Sequence, residues 1–285
     1  MKLLAWIGVL LFSSSVVFAQ DKTVMVSFSV LENLVREVAP AGVTVKTLVP
    51  GGRDAHQYEA TAQDLVRLKK SPLVFSIGAS FEPWLAGALR AIKYPGRHVV
   101  LTKGLRLLPG GHHGWDPHVW LNPELTKEMI KTIAKEMRDI APDAQDEIRA
   151  KEKSYLEQLD RLHREMKETL AKIPEGRRRV VVSHEAFGYF TQAYGIEFIA
   201  PQGWSTESEP TAKDLARIIR ELKAKKAKAI FTENLADRKT IEQIARETGL
   251  KVGGALCVDS LTPQTPTYIA MMKENARVLA AALAE

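Results

Sequence analysis

The sequence predicts an α/β protein of two similar lobes, each a mostly parallel sheet flanked by helices, joined by one long rigid helix. Three observations carry this. Short β-branched runs alternate with helix-period segments through both halves of the chain, the pattern of strand–helix units in a parallel sheet. At 285 residues the chain exceeds one typical domain, so two lobes are the default expectation. Between the halves, residues 142 to 173 hold no glycine and no proline after Pro142, and Leu156, Leu159, Leu162, Met166 and Leu170 recur at three- and four-residue spacing on a charged background. That is one amphipathic helix, roughly 45 Å long if continuous. Heptads are too few for a coiled coil, and Gly, Ser and Pro too sparse for a flexible linker.

In the first half, Val24 to Phe28 is a strand and Val30 to Val38 a helix. Val43 to Leu48 is the next strand, followed by a helix from Ala62 to Lys69 with Thr61 as its cap. Leu73 to Ile77, Pro83 to Ala91 and His98 to Leu101 read as strand, helix and strand. The second half repeats the rhythm: strand Arg179 to Val182, helix Ala186 to Tyr194, and helix Thr211 to Lys225. Strand Ala229 to Thr232, helix Lys239 to Thr248, strand Val252 to Leu256 and a closing helix from Pro266 to Ala284 complete it. The stretch from Tyr58 to Leu65 echoes Ser208 to Leu215, each leading into a helix and then a strand, which suggests related lobes. The expected boundaries are 1–19 for a leader, 20–140 for the N-terminal lobe, 141–174 for the linking helix and 175–285 for the C-terminal lobe.

The leader has the order of an export signal. Lys2 gives a positive start, Leu3 to Phe12 an apolar run, and Val17-Phe18-Ala19 a small-residue cleavage site before Gln20. The apolar run is too short to span a bilayer, and no cysteine stands at the cleavage point for a lipid anchor. A periplasmic protein cleaved after Ala19 is expected. Hydrophobic content of 45% with 26% charged residues suits a soluble globular chain. Cys257 is the single cysteine, so no internal disulfide forms, and a buried inert thiol is expected there. The formal net charge of +6 is spread over patches such as Arg177 to Arg179. Aromatic interleaving is missing, so a nucleic-acid surface is not expected.

Among seven histidines, three stand out by place. His56 lies soon after a predicted strand, His118 sits between Pro117 and Pro123, and His184 follows the strand ending at Val182. Asp259 follows the strand ending at Leu256. Ligands in α/β sheets collect outside the carboxyl ends of strands, and three neutral imidazoles with one carboxylate make a four-coordinate zinc sphere with bonds of about 2.0–2.2 Å. Manganese and iron accept such a set less tightly. Each histidine taken singly is more often a hydrogen-bonded structural residue, and the wide spacing matches no local zinc motif.

Three segments sharpen this: Asp54 to Glu59, Asp116-Pro117-His118-Val119-Trp120-Leu121, and Ser183-His184-Glu185-Ala186-Phe187-Gly188-Tyr189-Phe190. With the long middle helix and the run Asp259-Ser260-Leu261 before Pro266-Thr267-Tyr268, the chain resembles the periplasmic zinc/manganese solute-binding proteins of ABC metal importers (cluster A-I type). The resemblance implies that His56, His118, His184 and Asp259 are the metal ligands, and that the chain is no enzyme. It implies a monomer that holds one divalent ion between its lobes and passes it to an inner-membrane ABC permease. Histidine at the third position goes with zinc in that family and glutamate with manganese, so His184 favours zinc, with manganese as the alternative cargo.

The chain departs from the family pattern in places. A long histidine-rich loop is reduced to Gly110-Gly111-His112-His113-Gly114, Glu185 stands where aspartate is usual, and Asn122 stands where aspartate is common. Trp115, Trp120 and Trp204 are expected to wall the cleft from water. Glu209 and Glu233 are candidates to approach the metal from the second half, with surface or capping roles expected for both. His98 and His163 are read as structural or surface residues.

Two rival functions use the same residues. A zinc hydrolase would keep three protein ligands, one open water position and a nearby base such as Glu185 or Glu209; a metal-binding surface adhesin is the other. One long helix between the lobes resists hinge bending, so closure is expected to be small. Solution scattering that showed large compaction on adding zinc would contradict this. Zinc binding is also expected to weaken below about pH 6, because imidazole must be neutral to coordinate.

Overall fold

The structure is a computed structural model that describes residues 22–110, 114–200, 211–225, 227–233 and 238–284. The leader with Ala19, His112, His113, Trp204, Glu209 and the start of the Ser208 to Leu215 echo lie outside the described residues.

The first half forms β1 (Lys22–Phe28), α1 (Ser29–Val38), β2 (Val43–Val49), α2 (Ala62–Lys70), β3 (Leu73–Ser76), α3 (Pro83–Ala91) and β4 (Arg97–Val100). Each expected element is present. The α2 start is a capping box in which Thr61 accepts from the Asp64 backbone while the Asp64 carboxylate accepts from Thr61 N. Residues 123–140, unassigned in the sequence reading, form α4 (Pro123–Ile140). Asn122 caps it by accepting from Glu124 N at 3.0 Å, Pro123 occupies its first position, and Met129, Ile130, Ile133 and Met137 are buried along one stripe.

The long helix α5 (Gln145–Ala171) runs 27 residues, about 40 Å, after a 3₁₀ turn at Pro142–Ala144. It packs on α1 and α4 of the first half, and on both α6 (Gly188–Tyr194) and α9 (Tyr268–Leu283) of the second. The second half adds β5 (Arg179–Val181), β6 (Glu197–Ile199), α7 (Ala212–Lys225), β7 (Ala229–Glu233), α8 (Arg238–Thr248) and β8 (Lys251–Leu256). β6 is the short strand that the periodicity did not reveal.

The strand orders are β2-β1-β3-β4 and β6-β5-β7-β8, parallel throughout. The second sheet shows how two-sided burial is encoded. Val180, Val182, Ala229 and Phe231 face a core continuous with the first sheet, whereas Val181 and Ile230 face a separate cluster with Ile218 and Leu222 of α7 and Ile241 and Ile244 of α8. Alternate residues of a strand point to opposite faces, so short apolar runs serve both layers. Among the described residues no helix is long and apolar enough to cross a membrane.

Candidate metal centre

Strand order reverses beside β1 and β3 in the first sheet and beside β5 and β7 in the second, and the crevice past such strand ends is where open α/β sheets gather ligands. His184 lies just past β5, Glu233 ends β7, and Asp259 lies just past β8. His56 stands in the loop between β2 and α2, and His118 opens the 3₁₀ turn Val119–Leu121 that leads into α4.

The four candidate side chains converge. One donor atom from each of His56, His118, His184 and Asp259 falls within 4.8 Å of all the others. Asp259 Oδ2 lies 3.7 Å from His56 Nε2 and 3.4 Å from His184 Nε2. Asp259 Oδ1 lies 3.6 Å from His118 Nε2, and the two Nε2 atoms of His118 and His184 are 3.4 Å apart. A tetrahedron with bonds of 2.0–2.1 Å has edges of about 3.3–3.4 Å, and the contacts of Asp259 Oδ2 with His184 and of His118 with His184, both 3.4 Å, match that edge. His56 Nε2 and Asp259 Oδ1 are buried without a hydrogen-bond partner. Buried polar atoms rarely stay unpaired, and a cation among them satisfies both. His118, His184 and Asp259 are buried while His56 is only partly so.

Carboxylates behind the rings fix which nitrogen faces the centre. Asp116 Oδ1 accepts from His118 N at 2.9 Å and lies 2.8 Å from His118 Nδ1. Asp54 Oδ1 accepts from His56 N at 2.8 Å, setting the turn that carries that ring. Glu233 Oε2 lies 2.5 Å from His184 Nδ1, and Glu233 Oε1 accepts from Ser183 N, Ser183 Oγ and His184 N. With Nδ1 turned toward a carboxylate, the His118 and His184 rings present Nε2 to the centre of the cluster.

The charges follow from this geometry. Burial works to lower the His184 imidazole, but Glu233 and Asp259 outweigh it and hold the imidazolium well above the usual histidine range. Burial works to raise the Asp259 carboxyl, yet His118, His184 and His56 leave it far below the usual carboxylate range. The same contest keeps Glu233 ionised against His184. His56 moves the other way: burial lowers it and the His118 and His184 imidazoles add to that, outweighing the opposing pull of Asp259 and Asp54. The raised His184 ring thus lies between two carboxylates, Nδ1 toward Glu233 and Nε2 toward Asp259.

An aromatic wall keeps water out. Phe81 packs edge-on to His56 with centroids 4.5 Å apart, Trp120 lies 5.2 Å from His118, and Phe28, Phe81 and Trp120 meet one another edge-on or tilted. Phe81 is aimed by a tight turn in which Gly78, Ala79 and Ser80 all have positive φ. Buried Glu82 ties this turn down by accepting from Ile77 N and Gly78 N.

Several expectations need correction. Glu233 has no surface or capping role; it is buried behind His184. Trp115 is 59% exposed and walls nothing, in contrast to fully buried Trp120. Asn122 caps α4, while the carboxylate that serves His118 is Asp116. Glu185 is exposed. Cys257 is buried as expected, and burial pushes its thiol up. His98 bonds Ser76 Oγ at 2.8 Å and His163 bonds Tyr194 at 3.0 Å, both structural. Sequence reading missed Asp116 and Glu233 as partners and Phe81 as wall. An aspartate two residues before a histidine, and an acid closing an apolar strand, were the available signals.

Known proteins are similar to this chain in sequence and fold. The sequence profile of a family described as zinc-uptake complex component A, periplasmic, matches residues 24–282. The zinc-binding protein TroA of Treponema pallidum is 28% identical over 272 residues, covering 92% of this chain and 88% of TroA. The manganese ABC transporter substrate-binding lipoprotein PsaA of Streptococcus mitis is 26% identical over 279 residues, covering 93% and 90%. The solved structure of periplasmic TroA superposes with a TM-score of 0.87 at 27% identity, covering 93% of this chain and all of the other.

Proposed function

The chain belongs to the periplasmic zinc-uptake complex component A family, and from that premise we propose that it captures one divalent transition metal between its lobes and delivers it to an ABC permease in the membrane. His56, His118, His184 and Asp259 are the ligands, zinc is the favoured cargo and manganese the alternative. The protein acts as a monomer released by cleavage after Ala19, with lobes at 20–140 and 175–285 on either side of the helix at 141–174.

One observation carries this reading: one donor atom from each of the four residues lies within 4.8 Å of the others, and His56 Nε2 and Asp259 Oδ1 are buried without a hydrogen-bond partner. Four protein donors leave no open position for a hydrolytic water, and exposed Glu185 is no general base at this site. TroA and PsaA bear zinc and manganese in their names, so both metals belong in the test. Competitive titration should show zinc preferred over manganese, and His184→Glu should narrow that preference. Equal affinities in the unaltered protein would overturn the choice of zinc; failure to bind either would overturn the function.

The pH dependence is a second test. Metal must expel the His184 proton, so zinc affinity should already fall between pH 8 and pH 6 rather than only below about pH 6. The sign follows for stability as well. The raised His184 group stabilises the metal-free fold below its unfolded value of about 6.5, and that contribution is lost as pH rises through its folded value. Depressed Asp259 contributes above its unfolded value of about 3.9 and loses it as pH falls through its folded value. The rise in melting temperature on adding zinc should therefore be larger at pH 8 than at pH 6; a pH-independent rise would contradict the proton exchange.

A further inference from the structure

Asp259 follows β8 and by chain order belongs to the second half, yet the backbone that carries it is fastened to the first. Trp120 Nε1 donates to Val258 O at 3.0 Å. Gly52 N donates to Ser260 Oγ at 2.7 Å, and Leu261 N donates to Ser29 Oγ at 3.0 Å. The approach is close: a Cβ on Gly51 would come within 2.8 Å of Leu261 O. Ser260 is fully buried and Ser29 nearly so, so each acceptor hydroxyl is set inside the fold while its donor, on Gly52 or Leu261, lies nearer the surface. The second half grips this segment before the acid, where Asn275 brackets Cys257 through its N–H and carbonyl. His184 is held differently, by Glu233 at the end of β7 in its own sheet.

We propose that Ser29 and Ser260 are positioning residues that fasten Asp259 to the first lobe, so that His56, His118 and Asp259 form one preassembled three-donor half-site. His184 is then the single donor carried by the second sheet. The assignment rests on the reading of these four residues as metal ligands. Preassembly lowers the ordering cost of binding, and it makes His184 the donor whose separation opens the sphere for release.

The test is zinc affinity by chelator competition, with dissociation rates, for Ser260→Ala and Ser29→Ala, each in the native and in the His184→Ala background. Removing an outer partner of a ligand typically costs about 10–100-fold in affinity. Each serine change should give a loss of that size, through faster dissociation, and of equal factor in both backgrounds. Metal-free melting temperatures accompany each measurement. A lowered melting temperature with unchanged zinc affinity marks a merely structural role and overturns the assignment. So does an effect that disappears once His184 is absent, because Asp259 would then be set from the second lobe. If the unaltered protein bound neither zinc nor manganese, the ligand reading beneath the proposal would fail, an outcome separable from intact binding that is insensitive to both serines.

Discussion

Asp259→Asn is expected to lower zinc affinity by about two to three orders of magnitude. Four-ligand structural zinc sites are worth about 10–16 kcal/mol at neutral pH, so a single ligand accounts for roughly 3–4 kcal/mol, and each 1.4 kcal/mol is a factor of ten. Asp259 stands at the upper end because it supplies the sole anion among the donors and is buried with three imbuing imidazoles around it. The pH dependence distinguishes this from simple unfolding. Asp259 is one of two carboxylates that hold the His184 proton, so its neutralisation also weakens the proton that competes with metal. The loss should be greatest near pH 8 and shrink toward pH 6. Chelator competition at both values measures it; a loss below about threefold at pH 8 would place Asp259 outside the coordination sphere.

The second large effect is Glu233→Gln, and its neighbour Asp116→Asn provides the contrast. Glu233 uses its two oxygens for different tasks: Oε1 accepts from Ser183 and His184 N–H groups, and Oε2 faces His184 Nδ1. An amide that keeps the first task must turn its NH2 toward His184 Nδ1. That forces the ring proton onto Nε2, the atom facing the metal. Zinc affinity should fall by at least the 10–100-fold typical of an outer partner. Asp116 uses a single oxygen, Oδ1, for both His118 N and His118 Nδ1, so an asparagine retains both contacts and the tautomer. Its loss should be under about tenfold. Nitrogen chemical shifts of the histidine rings report the tautomers directly, and equal effects of the two amides would refute the division of labour between the Glu233 oxygens.

Much of the fold was legible because helices and strands are written locally. The Thr61 to Asp64 capping box, the stripe of Leu159, Leu162, Met166 and Leu170, and the alternation through Val180, Val181 and Val182 are patterns within a few residues. α4 was equally legible in its Asn122-Pro123 start and its stripe through Ile130 and Met137. β6 was not legible, since three residues carry too little period to distinguish strand from loop.

The site divides along the same line. Residue type and position past strand ends singled out His56, His118, His184 and Asp259, and motif resemblance gave them a family. What sequence by itself determined is thus most of the elements and four candidate donors. Only the tertiary structure decided that one donor atom from each of the four residues lies within 4.8 Å of the others, that Asp116 and Glu233 stand behind two of the rings, and that the loop of Asp259 is fastened to the first lobe. Those facts join residues far apart in the chain, such as Gly52 with Ser260 and His184 with Glu233. Local periodicity sets which face of an element is apolar, but the distance between two polar atoms on different elements is fixed by how those faces pack.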